Sequence, residues 1–181
     1  MQYVYIHGFG TTGALSTKFL KIQTHALNTA STAYALEWNE NQLDIVNSLE
    51  NQLRSCIDFS QPICLIGSST GGNFTYQLLQ NIKEKAKEIY IVLLNPFIDV
   101  KQRKIDDSRF PISLANQMTL PADTLENAVV LLGKQDEVLN YEFTQDLLED
   151  KNTLIVKDGC NHSLNNIPTA DFLNYIDRVW K

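Results

Sequence analysis

Gly67-Ser-Ser-Thr-Gly-Gly72 is the segment of this chain best suited to chemistry. It follows the apolar run Ile63 to Ile66 and precedes a helical pattern. That is a G-x-S-x-G motif in the strand-to-helix turn it requires. The residue at the tip of such a turn has a strained backbone, and its neighbours two positions away on either side are forced together. Only small residues fit there, and Gly67 and Gly71 supply them. The strain lifts the Ser69 hydroxyl above the end of the strand. The turn opens a helix, whose first N–H groups lack intrahelical acceptors and favour negative charge. The N–H of Thr70 is therefore a candidate donor to an oxyanion. Two other readings compete for these glycines: a turn without chemistry, and a phosphate cradle. The cradle lacks both a Gly-Lys-Ser/Thr ending and the Gly-x-Gly-x-x-Gly spacing.

A serine hydroxyl is a weak nucleophile near neutrality and needs a base. The chain has three histidines. His25 falls in a helical pattern and reads as a surface residue. His7 ends the first apolar run, where it suits the shaping of a loop. His162 follows the last apolar run, in Asp158-Gly-Cys-Asn-His-Ser163, and is the expected base. A base histidine needs an acceptor for its other nitrogen. Asp136, just after the run Ala128 to Leu132, is the expected acid, with Asp99 in reserve; Glu137 is expected to point elsewhere. The order Ser69, Asp136, His162 is that of α/β-hydrolases. A second oxyanion donor is expected from the N–H of Phe9, in the Gly-rich loop His7 to Gly13. His7, Phe97, Phe110 and Leu139 are candidate pocket residues, and no metal site is expected. The segment 97–127 is the one connection long enough to form a short lid or line a pocket, although its apolar residues could equally be ordinary core.

The elements that must position these groups alternate. Apolar runs at 3–6, 33–36, 63–66, 89–94, 128–132 and 153–156 are mostly continuous, as in strands buried on both faces. Helical spacing joins Leu43, Val46, Leu49, Leu53 and Ile57, with Asn39 and Gln42 as a cap pair. Further helices are expected over 70–82, over 141–148, and after Pro168 with Phe172, Ile176 and Val179 on one face. Strand and helix in alternation predict right-handed crossovers: one three-layer α/β domain over 1–181, with about six mainly parallel strands, doubly wound and without a large cap domain.

The 181 residues carry a net charge of -6, with scattered basic residues, which argues against a nucleic-acid partner. The three cysteines form no Cys-x-x-Cys pair, and no apolar run reaches the roughly 20 residues of a membrane span. A cytoplasmic protein without membrane insertion is expected; the oligomeric state stays open.

Five segments together, Tyr5-Ile-His-Gly-Phe9, Gly67 to Gly72, Asn95-Pro96, Asp136-Glu-Val-Leu139 and Gly159-Cys-Asn-His162, resemble the α/β-hydrolase superfamily. Within it, the chain is similar to the small bacterial esterases of the YqiA-like (UPF0227) family. The resemblance implies a serine esterase for carboxylic esters of small or flexible acyl groups, or an acyl thioesterase, without a cofactor. It places the family's triad on Ser69, Asp136 and His162. A catalytically silent hydrolase fold that binds a ligand or partner is the competing expectation.

Overall fold

The structure, a computed structural model, describes residues 1–104, 110–120, 125 and 127–167. Six parallel strands form one sheet in the order β2-β1-β3-β4-β5-β6. They are β1 (Gln2–Ile6), β2 (Thr32–Leu36), β3 (Ile63–Ser68), β4 (Ile89–Leu94), β5 (Val129–Gly133) and β6 (Thr153–Lys157). Every residue of β1, β3 and β5 is buried, while the edge strands β2 and β6 are half-exposed. Continuous apolar runs therefore mark the strands covered on both faces.

The strand period of two sends alternate residues to opposite layers. Tyr3 and Tyr5 pack with Phe19, Ile22 and Ala26 of α1 (Thr17–Asn28). Val4 and Ile6 pack with Leu49 and Leu53 of α2 (Ile45–Cys56), and with Phe74 and Leu78 of α3 (Thr70–Ile82). The short α4 (Ile112–Ala115) places Leu114 in this second layer, and α5 (Tyr141–Leu148) adds Leu148 further along the same face. Burying each of these leucines contributes roughly 1.5–3 kcal/mol.

Pairing of β1 with β3 brings Ile6 beside Gly67, and that of β3 with β4 brings Ser68 beside Leu94. Winding reverses between β1 and β3. The loops leaving these two strands diverge, opening a crevice at their carboxyl ends, where ligands bind in such sheets.

Two expectations about α2 need correction. Leu43 precedes the helix and is 98% exposed, and Ile57 only caps the far end. The N-cap is Asp44, whose carboxylate accepts from the Asn47 N–H at 2.9 Å. The Asn39 N–H does donate to Gln42 Oε1, at 3.1 Å, but this pair closes the turn before the helix. Nor is His25 a plain surface residue: it is half-buried, and its ring meets that of Tyr3 edge-on. The helix expected after Pro168 lies outside the described residues. In the segment 97–127, the described residues form a 3-10 turn (Val100–Gln102) and α4. Gln117 anchors this stretch, donating to Gln42 O at 2.9 Å and accepting from the Ile45 N–H at 3.0 Å. Among the described residues no large cap domain stands over the sheet.

Candidate active site

Ser69 sits at the tip of the turn between β3 and α3 with φ 52 and ψ -123. A non-glycine residue there costs about 1–3 kcal/mol, so the surroundings must enforce it. They do so through backbone bonds: the Ser69 N–H donates to Leu94 O at 3.0 Å, and Ser69 O accepts from Gly72 at 2.8 Å and Phe97 at 2.9 Å. A Cβ on Gly67 would lie 2.6 Å from Gly71 O and would overlap Thr75 Oγ1. One on Gly71 would overlap the carbonyl oxygens of Ile6 and His7. Neither position tolerates a side chain, which is the steric reason for the motif's spacing.

The loop after β5 and the loop after β6 converge on this turn. His162 Nε2 lies 3.1 Å from Ser69 Oγ, and His162 Nδ1 lies 2.8 Å from Asp136 Oδ2. An ionised carboxylate only accepts, so Nδ1 carries the proton and Nε2 is left to accept from the Ser69 hydroxyl. The Asp136 side chain is buried, and its other oxygen accepts from the N–H groups of Val138 and Leu139, both at 2.8 Å. These bonds fix the carboxylate before it meets the imidazole. Ser69, Asp136 and His162 are thus brought together in the expected order. Asp99 is not part of the group; it caps the 3-10 turn by accepting from the Lys101 N–H at 2.8 Å.

Two further side chains hold the His162 loop. Glu137 was expected to point elsewhere, but its carboxylate accepts from the His162 backbone N–H at 3.0 Å. The buried Asn95 side chain donates to His162 O at 2.9 Å and to Asn161 O at 3.1 Å. Its Oδ1 accepts from the Gly133 N–H at 2.8 Å, so one amide ties the ends of β4 and β5 to the His162 loop. Asn95 adopts φ 41, a conformation asparagine tolerates better than most residues. The Asn-Pro pair was visible in the sequence, but nothing local signalled which carbonyls it would meet.

The loop after β1 passes close to the turn. A Cβ on Gly8 would lie 3.1 Å from Ser69 Cβ, and Phe9 follows directly. Thr70 opens α3, so its N–H has no acceptor within the helix. The glutamate after β2 secures the far side of this loop: Glu37 accepts from the N–H groups of Gly13 at 2.9 Å and Ala14 at 2.8 Å.

A cavity of about 340 Å³ opens beside Ser69 and His162. Its wall is rich in hydroxyls, including Tyr5, Thr11, Thr12, Ser16 and Ser163, and also carries Lys18. None of the four expected pocket residues lines it. His7 is buried and stacked on Trp38, with ring centroids 5.1 Å apart; its Nδ1 donates to Gly8 O at 2.8 Å, and its Nε2 accepts from the Trp38 N–H at 3.3 Å. Burial lowers its pKa below the ordinary imidazole value. It shapes the loop from beneath. Leu139 acts through its N–H on Asp136, its side chain being buried. Phe97 and Phe110 join an aromatic group with Phe9, which does line the cavity, their rings meeting edge-on at 5.2 and 5.4 Å. The polar wall escaped sequence reasoning because its members come from β1, the loop after it, α1 and the His162 loop. Among the described residues no group of three His, Cys, Asp or Glu could hold a metal ion, and no helix is long and apolar enough to cross a membrane.

The model of a family described as uncharacterised, UPF0227, matches residues 2–177. No curated protein matches the sequence. Several solved structures share the fold. Naproxen esterase (carboxylesterase NP) from Bacillus subtilis superposes with a TM-score of 0.69 at 14% identity, over 99% of this chain and 83% of that one. Est1E from Butyrivibrio proteoclasticus gives 0.70 at 14%, over 98% and 87%. An α/β superfamily hydrolase from Oenococcus oeni PSU-1 gives 0.65 at 11%, over 100% and 93%. At these identities the likeness is one of fold, and the fold is that of the α/β-hydrolases.

Proposed function

The chain belongs to the UPF0227 family, and from that premise we propose that it is a serine hydrolase cleaving carboxylic esters through an acyl-enzyme on Ser69. The observation that carries this reading is the chain of hydrogen bonds from Asp136 through His162 to Ser69, at 2.8 and 3.1 Å. His162 takes the Ser69 proton as the hydroxyl attacks the ester carbonyl. The imidazolium that forms faces the Asp136 carboxylate, which stabilises it. The oxyanion receives the N–H groups of Phe9 and Thr70, each worth about 3 kcal/mol of barrier. His162 then returns the proton to the leaving alcohol, and water attacks the acyl-enzyme by the same route. The half-buried rings of Phe9 and Phe110 offer an apolar face to the acyl group. Whether the leaving atom is oxygen or sulfur does not alter these roles, so acyl thioesters belong in the substrate panel.

Labelling by a fluorophosphonate tests the assignment together with a panel of short-chain esters and thioesters. The wild type is expected to label and turn over, and Ser69→Ala to do neither. Equal rates in the two proteins would refute the assignment. Retained labelling by Ser69→Ala would place the nucleophile elsewhere.

A further inference from the structure

The cavity beside Ser69 carries a feature that ester cleavage by itself does not use. Among the described residues lining it, Lys18 is the one lysine or arginine, and none is a carboxylate. Lys18 is half-buried, and no carboxylate among the described residues pairs with it. Burial, with a smaller contribution from Lys21, pulls its ammonium down to about 8. A cation drawn from water without a counter-charge is costly, and an arriving anion relieves that cost. Lys18 also lies in the first turn of α1, which holds no acidic residue to compensate it. Thr12, Thr17 and Ser163 line the same wall with further hydrogen-bond donors.

The position of Lys18 indicates which half of a substrate it meets. It lines a second crevice with Ser163, Leu164 and Asn165, the residues directly after His162. Lys18 therefore stands beside the loop that carries His162. A leaving group must take its proton from His162 Nε2 and so occupies the same side. Phe9 lines the same cavity and its ring meets that of Phe110 edge-on, which offers an apolar surface to the acyl half.

We infer that the leaving group of the natural substrate carries anionic oxygens, as a carboxylate or a phosphate, and that these pair with Lys18 in the cavity. This rests on the acyl-transfer reading of Ser69, and its test must fail separately from that reading. The probes are three butyryl esters of the full chain's substrate type: that of 3-hydroxyphenylacetic acid, that of its neutral methyl ester, and an analogue with a phosphate in place of the carboxylate. The methylene insulates the ester bond from the charge, so intrinsic reactivity is matched. Wild type is expected to favour at least one anionic ester over the neutral one in kcat/KM. Lys18→Met is expected to lower that ratio by roughly 10- to 100-fold, the loss of one charge-assisted hydrogen bond, and Lys18→Arg to keep most of it. Using a ratio cancels any loss of folded protein. The two anions are separated by which arm responds. Cleavage of the neutral ester with a ratio that Lys18→Met leaves unmoved overturns the inference and spares the acyl-transfer reading. If no ester is cleaved while Ser69 still labels, the inference is overturned; if Ser69 does not label either, both readings fall.

Discussion

Replacing Asn95 by aspartate changes one atom type and tests how the imidazole is held. The native amide donates to His162 O and Asn161 O, at 2.9 and 3.1 Å, and accepts from the Gly133 N–H at 2.8 Å. The side chain is 2% exposed, so water cannot take over the lost bonds. In Asn95→Asp the acceptor bond survives. Both donor bonds disappear, each worth about 1 kcal/mol, and a carboxylate oxygen is set against two carbonyl oxygens, bringing the expected loss to about 3 kcal/mol. The release of the His162 loop is expected to lower kcat more than it raises KM. Facing two carbonyls in a buried site, the introduced carboxyl has its pKa raised, because protonation restores one donor. A raised folded-state pKa means that the folded protein holds the proton more tightly than the unfolded chain. The deficit relative to wild type should therefore shrink as the pH falls through that value. Urea unfolding at several pH values, with steady-state kinetics on one ester, measures both effects. A variant within about 0.5 kcal/mol of wild type, well inside one hydrogen bond, and with unchanged kcat would refute the tethering role.

Two further predictions concern the same rim. Gly71→Ala is expected to cost about 3 kcal/mol or more, because its Cβ overlaps the Ile6 and His7 carbonyls. Gly10→Ala, at φ 74 with no neighbour within 4 Å, is expected to cost only about 1 kcal/mol; similar unfolding midpoints for the two would contradict the packing argument. Burial lowers the pKa of His7 from 6.5. The unfolded chain therefore takes up a proton first as the pH drops, and stability is lost below about 6.5 by up to ~1.4 kcal/mol per unit until the lower folded-state pKa is reached. His7→Gln should remove this part of the slope in chemical unfolding across pH 4–7, and an unaltered slope would show that His7 does not supply it.

What could be read directly from the residues was whatever neighbouring residues decide among themselves. The turn around Ser69 is one case: the clash that excludes a side chain at Gly67 comes from Gly71, Gly72 and Thr75, all within eight positions. The strands β1, β3 and β5 are another, since burial on both faces leaves an unbroken apolar run. The start of α2 was misjudged even so. Leu43 fits the apolar spacing, but the Asp44 carboxylate caps the helix one residue later and leaves Leu43 in solvent. Periodicity reports which face is covered; it does not say where the backbone begins to turn. The partners of polar side chains were a matter for the tertiary structure alone. Asn95 meets Gly133 and His162, 38 and 67 positions away. Lys18 shares a wall with Ser69 and Ser163 only because α1, the turn after β3 and the loop after β6 pack at one edge of the sheet. A hydrogen bond or ion pair needs its partner within about 3 Å. Over such separations that proximity is set by the packing of whole elements, which local spacing does not encode.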